Sequence, residues 1–260
     1  RMNGLSLHYY TITHDWNHKG KALEFTKDEY YLTIKNAYKM EELVRRHGDI
    51  MNRYDPDKRI GMIVDEWGTW HDVEEGTNPG FLYQQNTMRD AIVAGLTLNI
   101  FNKHSDRIKM ANIAQTINVL QAVALTDGED MLLTPTYHIF KMYKDHQENT
   151  LLGSYITTPD LSENGTLPKL IESASVKEDG TIIATIVNTS ADESADIHCQ
   201  IADFNLKDLS AEILTGDIHD YNSFENKNVA YTKAFSDYEI LADGFKTTIP
   251  PCSVAKFVIK

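Results

Sequence analysis

Two adjacent carboxylates, Asp65 and Glu66, stand between an apolar run and two tryptophans in the stretch Ile60-Gly-Met-Ile-Val-Asp-Glu-Trp-Gly-Thr-Trp70. A carboxylate can serve as nucleophile, acid or base, and Trp67 and Trp70 suit sugar rings, because an aromatic face packs against the apolar C–H side of a pyranose or furanose. Acid beside aromatic points to chemistry on glycosides. A retaining glycosidase needs a nucleophile and a proton donor ~5 to 5.5 Å apart. Strict alternation along a strand sends Asp65 and Glu66 to opposite faces, so the expectation is that one of them reacts and its partner lies elsewhere. His14-Asp-Trp-Asn-His18 offers two histidines four apart, which on a helix could share a metal. The surrounding Thr13, Asp15, Asn17 and Gly20 read as loop and no third ligand is evident, so no metal is expected and Trp16 reads as a contact on a loop over a pocket.

The elements that must position these groups follow from the spacing of apolar residues. Ile60, Met62, Ile63 and Val64, behind the turn Asp55-Pro-Asp57, read as a fully buried strand of a parallel sheet. A buried strand that delivers acids and aromatics at its C-terminal end is how a (β/α) barrel presents catalytic groups. Gly4 to Tyr10 reads as a second short strand, with His8 and Tyr10 on one side and Tyr9 on the other. Thr26 and Glu29 form a capping box ahead of Tyr30, Ile34, Ala37, Met40, Leu43 and Val44, which predicts a helix stopping near Gly48. His71 to Gly80 is a polar loop where substrate-contacting loops of barrels sit, and a helical pattern resumes near Leu82 and closes at Lys103-His-Ser-Asp106. Residues 108–123 read equally as an apolar helix or a last barrel strand. Thr134 as cap with Pro135 at the first position predicts a further helix. After His146 the pattern changes to short alternating runs, Ser173-Ala-Ser-Val176, Thr181 to Val187, Ile197 to Ile201, Ala211 to Leu214 and Val254 to Ile259, with turn residues between them, which predicts a β-sandwich.

Val64-Asp-Glu-Trp-Gly-Thr-Trp70, with Ser6-Leu-His-Tyr-Tyr10 before it and Lys109 to Val119 and Leu133-Thr-Pro-Thr-Tyr137 after it, resembles the retaining α-L-arabinofuranosidases of glycoside hydrolase family 51. The resemblance runs as ordered motifs from the first residue to about Gln147 and more loosely beyond. It implies the C-terminal part of a (β/α)8 TIM barrel over residues 1–147 and a jelly-roll-like β-sandwich over 148–260. It implies Glu66 as the nucleophile that forms a covalent arabinosyl-enzyme, Asp65 as a buried supporting acid, and His8, Tyr10 and Trp70 in the arabinose pocket. It also favours a final strand at 108–123 delivering Gln115 to a sugar hydroxyl. Neither cofactor nor metal is implied. The family's acid/base glutamate lies in a Gly-Asn-Glu motif on an earlier strand, and no such motif occurs here; Glu163-Asn-Gly165 is a turn and comes too late. The expectation is therefore that the chain is the downstream part of something longer, and that its partners are the missing N-terminal barrel half and an arabinofuranose-containing oligo- or polysaccharide. Homo-oligomers are common in the family. The reading from another class is a non-catalytic carbohydrate-binding or structural fragment.

A net charge of -13 argues against nucleic acid, which needs clustered Lys and Arg. No apolar run approaches the ~20 residues of a membrane span, so no membrane partner is expected. Cys199 and Cys252 are compatible with a disulfide or with two thiols.

Overall fold

A computed structural model describes residues 2–161 and 167–260, so Glu163, Asn164 and Gly165 lie outside the described residues. In chain order the elements are β1 (Gly4–Thr11), α1 (Lys27–Tyr54), β2 (Gly61–Thr69), α2 (Met88–Lys103), β3 (Ile108–Ile113), β4 (Ala124–Asp127), β5 (Asp130–Leu133) and α3 (Pro135–Tyr143). There follow β6 (Thr150–Leu152), β7 (Leu170–Val176), β8 (Ile182–Asn188), β9 (Ala195–Gln200), β10 (Leu209–Thr215), β11 (Lys233–Phe235), β12 (Tyr238–Leu241), β13 (Gly244–Ile249) and β14 (Ser253–Ile259).

β1, β2 and β3 form a parallel sheet in that order, with α1 and α2 as the crossovers. This is three consecutive βα units of the kind that close into a barrel. Val64 and Trp67 of β2 face the helices, where they join Tyr30, Ile34, Met40, Ile92 and Leu96 in the larger core. The opposite face of the sheet is open. β1 and β3 are its outer strands, and Leu5 and Met110 on them are 45% and 54% exposed.

α1 starts as its sequence dictates, with Thr26 and Glu29 closing a reciprocal capping box. It does not stop at Gly48. Met51 returns to the buried face one turn later, and the helix runs to Tyr54, where the Asp55 carboxylate accepts from the Ile60 amide and from Arg107 at 2.9 Å. Burial of one more core residue and this ion pair outweigh a glycine's cost of up to ~1 kcal/mol. α2 begins later than its apolar pattern suggested. Pro79–Phe81 is a 3-10 turn ending in a left-handed Leu82, and Thr87 with Asp90 forms a second capping box that sets the true start. Thr134 is the N-cap residue of α3, with Pro135 at the first position, but its side chain makes no capping hydrogen bond; its hydroxyl donates instead to the Ala122 and Val123 carbonyls.

β11-β10-β14-β8-β7-β6 form one sheet and β12-β13-β9 another, packed about Phe245, Phe257, Ile186, Ile213 and Ile249. The larger sheet is covered on both faces. Alternate residues of β8 and β14, such as Ile186 and Phe257, face the smaller sheet, while Val187 and Val254 press on α2 around Gly95. That double burial is why these strands read as nearly continuous apolar runs. Polar groups also cross this contact. Asn99 of α2 accepts from Ser173 and Thr185 at 2.7 Å each and donates to the Ile171 carbonyl at 3.0 Å, and Lys256 of β14 reaches Asp145 and Glu212.

Candidate active site

The C-terminal end of β2 is irregular, and the irregularity creates the site. Ser6 pairs with Ile63 and His8 with Glu66, so three residues of β2 advance against two of β1; Val64 and Trp67 are offset against Ala111 and Ile113 of β3 in the same way. Such a bulge breaks strict alternation. Asp65 and Glu66 consequently emerge on the same open face, contrary to the expectation of opposite faces. His8 touches both, its Nε2 3.1 Å from Asp65 Oδ1 and its Nδ1 3.6 Å from Glu66 Oε2. Asp65 is also not the buried acid expected of it. Its side chain is 41% exposed and accepts from the Ser6 hydroxyl at 2.6 Å. That hydrogen bond, with the nearby His8, holds its carboxyl below the usual carboxylate range.

Glu66 accepts a 2.8 Å hydrogen bond from the Tyr10 phenol. Burial, the hydrogen bond and the carboxylate charge push the Tyr10 pKa well up, so the phenol remains a donor. The Tyr10 ring meets Trp70 edge to face at 5.0 Å, and Trp70 meets Trp16 in the same manner at 5.5 Å. An aromatic row therefore leads outward from Glu66. Lys19 lies 5.4 Å from the Trp70 ring and 5.7 Å from that of Trp16, with its ammonium donating to the Trp16 carbonyl. Trp67 departs from expectation. It points away from the open face and is 1% exposed, against Phe101 and Phe140, so it cannot meet a sugar.

The Trp16 loop is held by its own polar residues. Asp15 accepts from the amides of Asn17 and His18, and Asp72 accepts from those of Lys19 and Gly20. His14 and His18 stack at 5.3 Å, with His14 on Glu29 and His18 on Asp72, each 2.9 Å away. Gln115 sits just past β3, at the end where Ala114 bonds the Trp67 carbonyl, with its side chain exposed. Asn118 binds the backbone of Thr126 through its amide.

Behind the aromatic row lies a buried polar cluster that the sequence reading missed: His71, Gln84, Arg89, Asp90 and Gln121, each at most 1% exposed. Burial opposes the charge on Asp90, but His71, Arg89 and the Thr69 hydroxyl hold its pKa down to about 2. Burial and the Arg89 charge lower that of His71, which is neutral. The visible signal was the capping-box spacing Thr87 to Asp90, which marks a carboxylate at a helix start.

The family described as "Alpha-L-arabinofuranosidase C-terminal domain" matches residues 65–253. An intracellular exo-alpha-L-arabinofuranosidase of Bacteroides ovatus is 46% identical over 257 residues, which is 98% of this chain and 50% of the relative. Among solved structures, the GH51 arabinofuranosidase from Xanthomonas axonopodis pv. citri superposes with a TM-score of 0.97 at 38% identity over 100% of this chain and 53% of its own. The α-L-arabinofuranosidase from Thermotoga maritima, solved as an arabinose complex, superposes with a TM-score of 0.81 at 22% identity over 98% of this chain and 52% of its own, a likeness of fold. The chain thus spans about half the length of these relatives.

Proposed function

This chain belongs to the α-L-arabinofuranosidases of glycoside hydrolase family 51, whose C-terminal portion it matches, and from that premise we propose that it carries the nucleophile of a retaining exo-α-L-arabinofuranosidase. Residues 1–147 are then the last βα units of the barrel and 148–260 the sandwich packed on them. The observation that carries the reading is Glu66. It stands at the C-terminal end of a barrel strand, on the open face, with a phenol donor at 2.8 Å and an aromatic row beside it.

Glu66 attacks the anomeric carbon of a terminal arabinofuranosyl residue as the glycosidic C–O bond breaks and the leaving oxygen takes a proton from the general acid; water, deprotonated by that same group, then cleaves the covalent intermediate and frees Glu66. Tyr10 orients the attacking carboxylate, His8 bridges it to Asp65, and Trp70 with Trp16 offers apolar ring faces to the sugar and its leaving group. Gln115 hydrogen-bonds a sugar hydroxyl from the end of β3. The chemistry takes no cofactor and no metal. Asp65 does not suit the role of proton donor, since Ser6 and His8 favour its ionised form. The acid comes instead from strands that pair with the open edges of β1 and β3 and close the barrel. The substrate class is arabinan, arabinoxylan or their oligosaccharides.

The test is hydrolysis of p-nitrophenyl α-L-arabinofuranoside by the closed-barrel enzyme and its Glu66→Gln variant, with the product anomer followed by NMR. Release of the retained anomer that disappears with Glu66→Gln is expected. Activity that survives the substitution, or an inverted product, overturns the assignment. Sugar binding without turnover in either protein selects the non-catalytic carbohydrate-binding reading.

A further inference from the structure

Trp70 is unusual in how its backbone is held. The Thr69 amide donates to Gln121 Oε1 at 2.8 Å, the Thr69 carbonyl accepts from Gln84 Nε2 at 3.2 Å, the Trp70 amide donates to the Thr11 carbonyl at 2.9 Å, and the His71 amide donates to Gln84 Oε1 at 2.8 Å. Every one of these partners except Thr11 is a side chain brought in from another segment. Gly68, just upstream, has φ +126, and a Cβ there would lie 3.0 Å from Gln121 Oε1, so the amide of Gln121 closes directly on the turn.

The same strand end is held by a buried carboxylate, and Gln121 is tied to the backbone of that residue. Asp90 Oδ1 accepts from the Thr69 hydroxyl at 2.6 Å and from His71 Nε2 at 2.9 Å, Asp90 Oδ2 accepts from the Thr87 amide at 2.7 Å, and the Asp90 carbonyl accepts from Gln121 at 2.7 Å. The proton positions follow by counting. Arg89 Nη2 has two hydrogens and two carbonyl acceptors, Lys21 and Ala22, at 3.1 Å each. Nη2 also lies 2.8 Å from His71 Nε2, but an ionised Asp90 can only accept, so the Nε2 hydrogen goes to Asp90 and Arg89 makes contact there without donation. Asp90 thus caps α2 and grips the strand end, while Arg89 grips the loop that carries Trp16. Burying these ions costs several kcal/mol each, and stability alone is a weak reason for such a cluster.

We propose that Asp90, His71 and Arg89, with the amides of Gln84 and Gln121, are positioning residues that fix Trp70, and through its ring contact with Tyr10 the phenol that holds Glu66. The inference rests on the reading of Glu66 as nucleophile. Supporting side chains of this kind matter because a misplacement of about 1 Å at a site can cost ~100-fold in rate.

The test uses the closed-barrel enzyme labelled with 5-fluorotryptophan, in which the 19F lines of Trp16, Trp67 and Trp70 are assigned by Trp16→Phe, Trp67→Phe and Trp70→Phe. Gln84→Met and Gln121→Met keep side-chain size and remove the amide. Each is expected to shift or broaden the Trp70 line and leave that of Trp67, in the core, in place. In the closed-barrel enzyme, assayed at a temperature where both variants are folded, each is expected to lower kcat/KM on the aryl arabinofuranoside about tenfold or more, with kcat and KM both displaced. A Trp70 line unmoved in both variants, or a Trp67 line that moves equally, overturns the proposal, as does unchanged kcat and KM. A Trp70 line that moves in an enzyme whose activity ignores Glu66→Gln supports the clamp on Trp70 and refutes the nucleophile reading instead.

Discussion

His146 offers a perturbation whose size can be worked from its surroundings. It sits in the 3-10 turn after α3, 8% exposed, with Nδ1 2.8 Å from the Ser175 hydroxyl and Nε2 3.1 Å from that of Thr185, where the helices meet the larger sheet. Burial, aided by the Lys256 charge and opposed by Asp145, lowers its pKa from 6.5 to about 4. The sign follows directly. Above 6.5 the imidazole is neutral in folded and unfolded chains and has no effect; as pH falls the unfolded chain takes the proton first, so stability drops until the folded imidazole also titrates near 4. The full loss is about 3 kcal/mol. His146→Gln cannot charge, so the difference in unfolding free energy between the parent and this variant should change by that amount between pH 7 and 4. Urea unfolding followed by tryptophan fluorescence reads it as a relative shift of about 1 M in midpoint. Comparing the two proteins at each pH cancels His71, lowered in the same direction, and His104, raised by Glu41 in the other. A difference that stays flat over this range refutes the reasoning.

Asn99→Ala removes an amide with two hydroxyl donors and one carbonyl acceptor in the buried contact between α2 and the sheet, and is expected to cost roughly 2–4 kcal/mol in urea unfolding. Gly244→Ala is expected to be worse than any surface change, because its φ is +154 and a Cβ would fall 2.0 Å from the Cys199 carbonyl oxygen; the soluble yield and thermal midpoint both fall. Trp16→Ala, at a residue 62% exposed, leaves the urea midpoint within error while weakening retention of arabino-oligosaccharides in affinity electrophoresis. Cys199 and Cys252 are free thiols, so a reductant leaves the melting curve unchanged and a thiol reagent in denaturant counts two groups.

What the sequence shows and what it hides separate along physical lines. α1 and the strand of Glu66 were legible because their patterns are local: a capping box ahead of apolar residues every three or four positions, and an apolar run ending in acids. The strands of the sandwich that read as short apolar or alternating runs, β7, β8, β9, β10 and β14, were visible for the same reason, whereas β12 and β13 were not, since Glu239 and Lys246 face solvent and Phe245 and Ile249 are the only large apolar residues buried there. Gly48 misled because tertiary burial of Met51 overrides a local breaker. The placement of Asp65 and Trp67 was misjudged because one extra residue in a bulge reassigns every side chain after it, and nothing in Val64-Asp-Glu-Trp67 announces the bulge. The His71, Asp90 and Gln121 cluster joins three segments distant in the chain, and such convergence has no spacing to read.

The most direct test of Glu66 as nucleophile is the mass of the labelled protein after exposure to 2,4-dinitrophenyl 2-deoxy-2-fluoro-α-L-arabinofuranoside. Dinitrophenolate leaves without protonation, so the trapping step needs the nucleophile and not the acid, while the fluorine slows release of the sugar. In the closed-barrel enzyme one fluoroarabinosyl group is expected on the peptide containing Glu66, and none on Glu66→Gln. An adduct on any other residue, or one that persists in Glu66→Gln, contradicts the account.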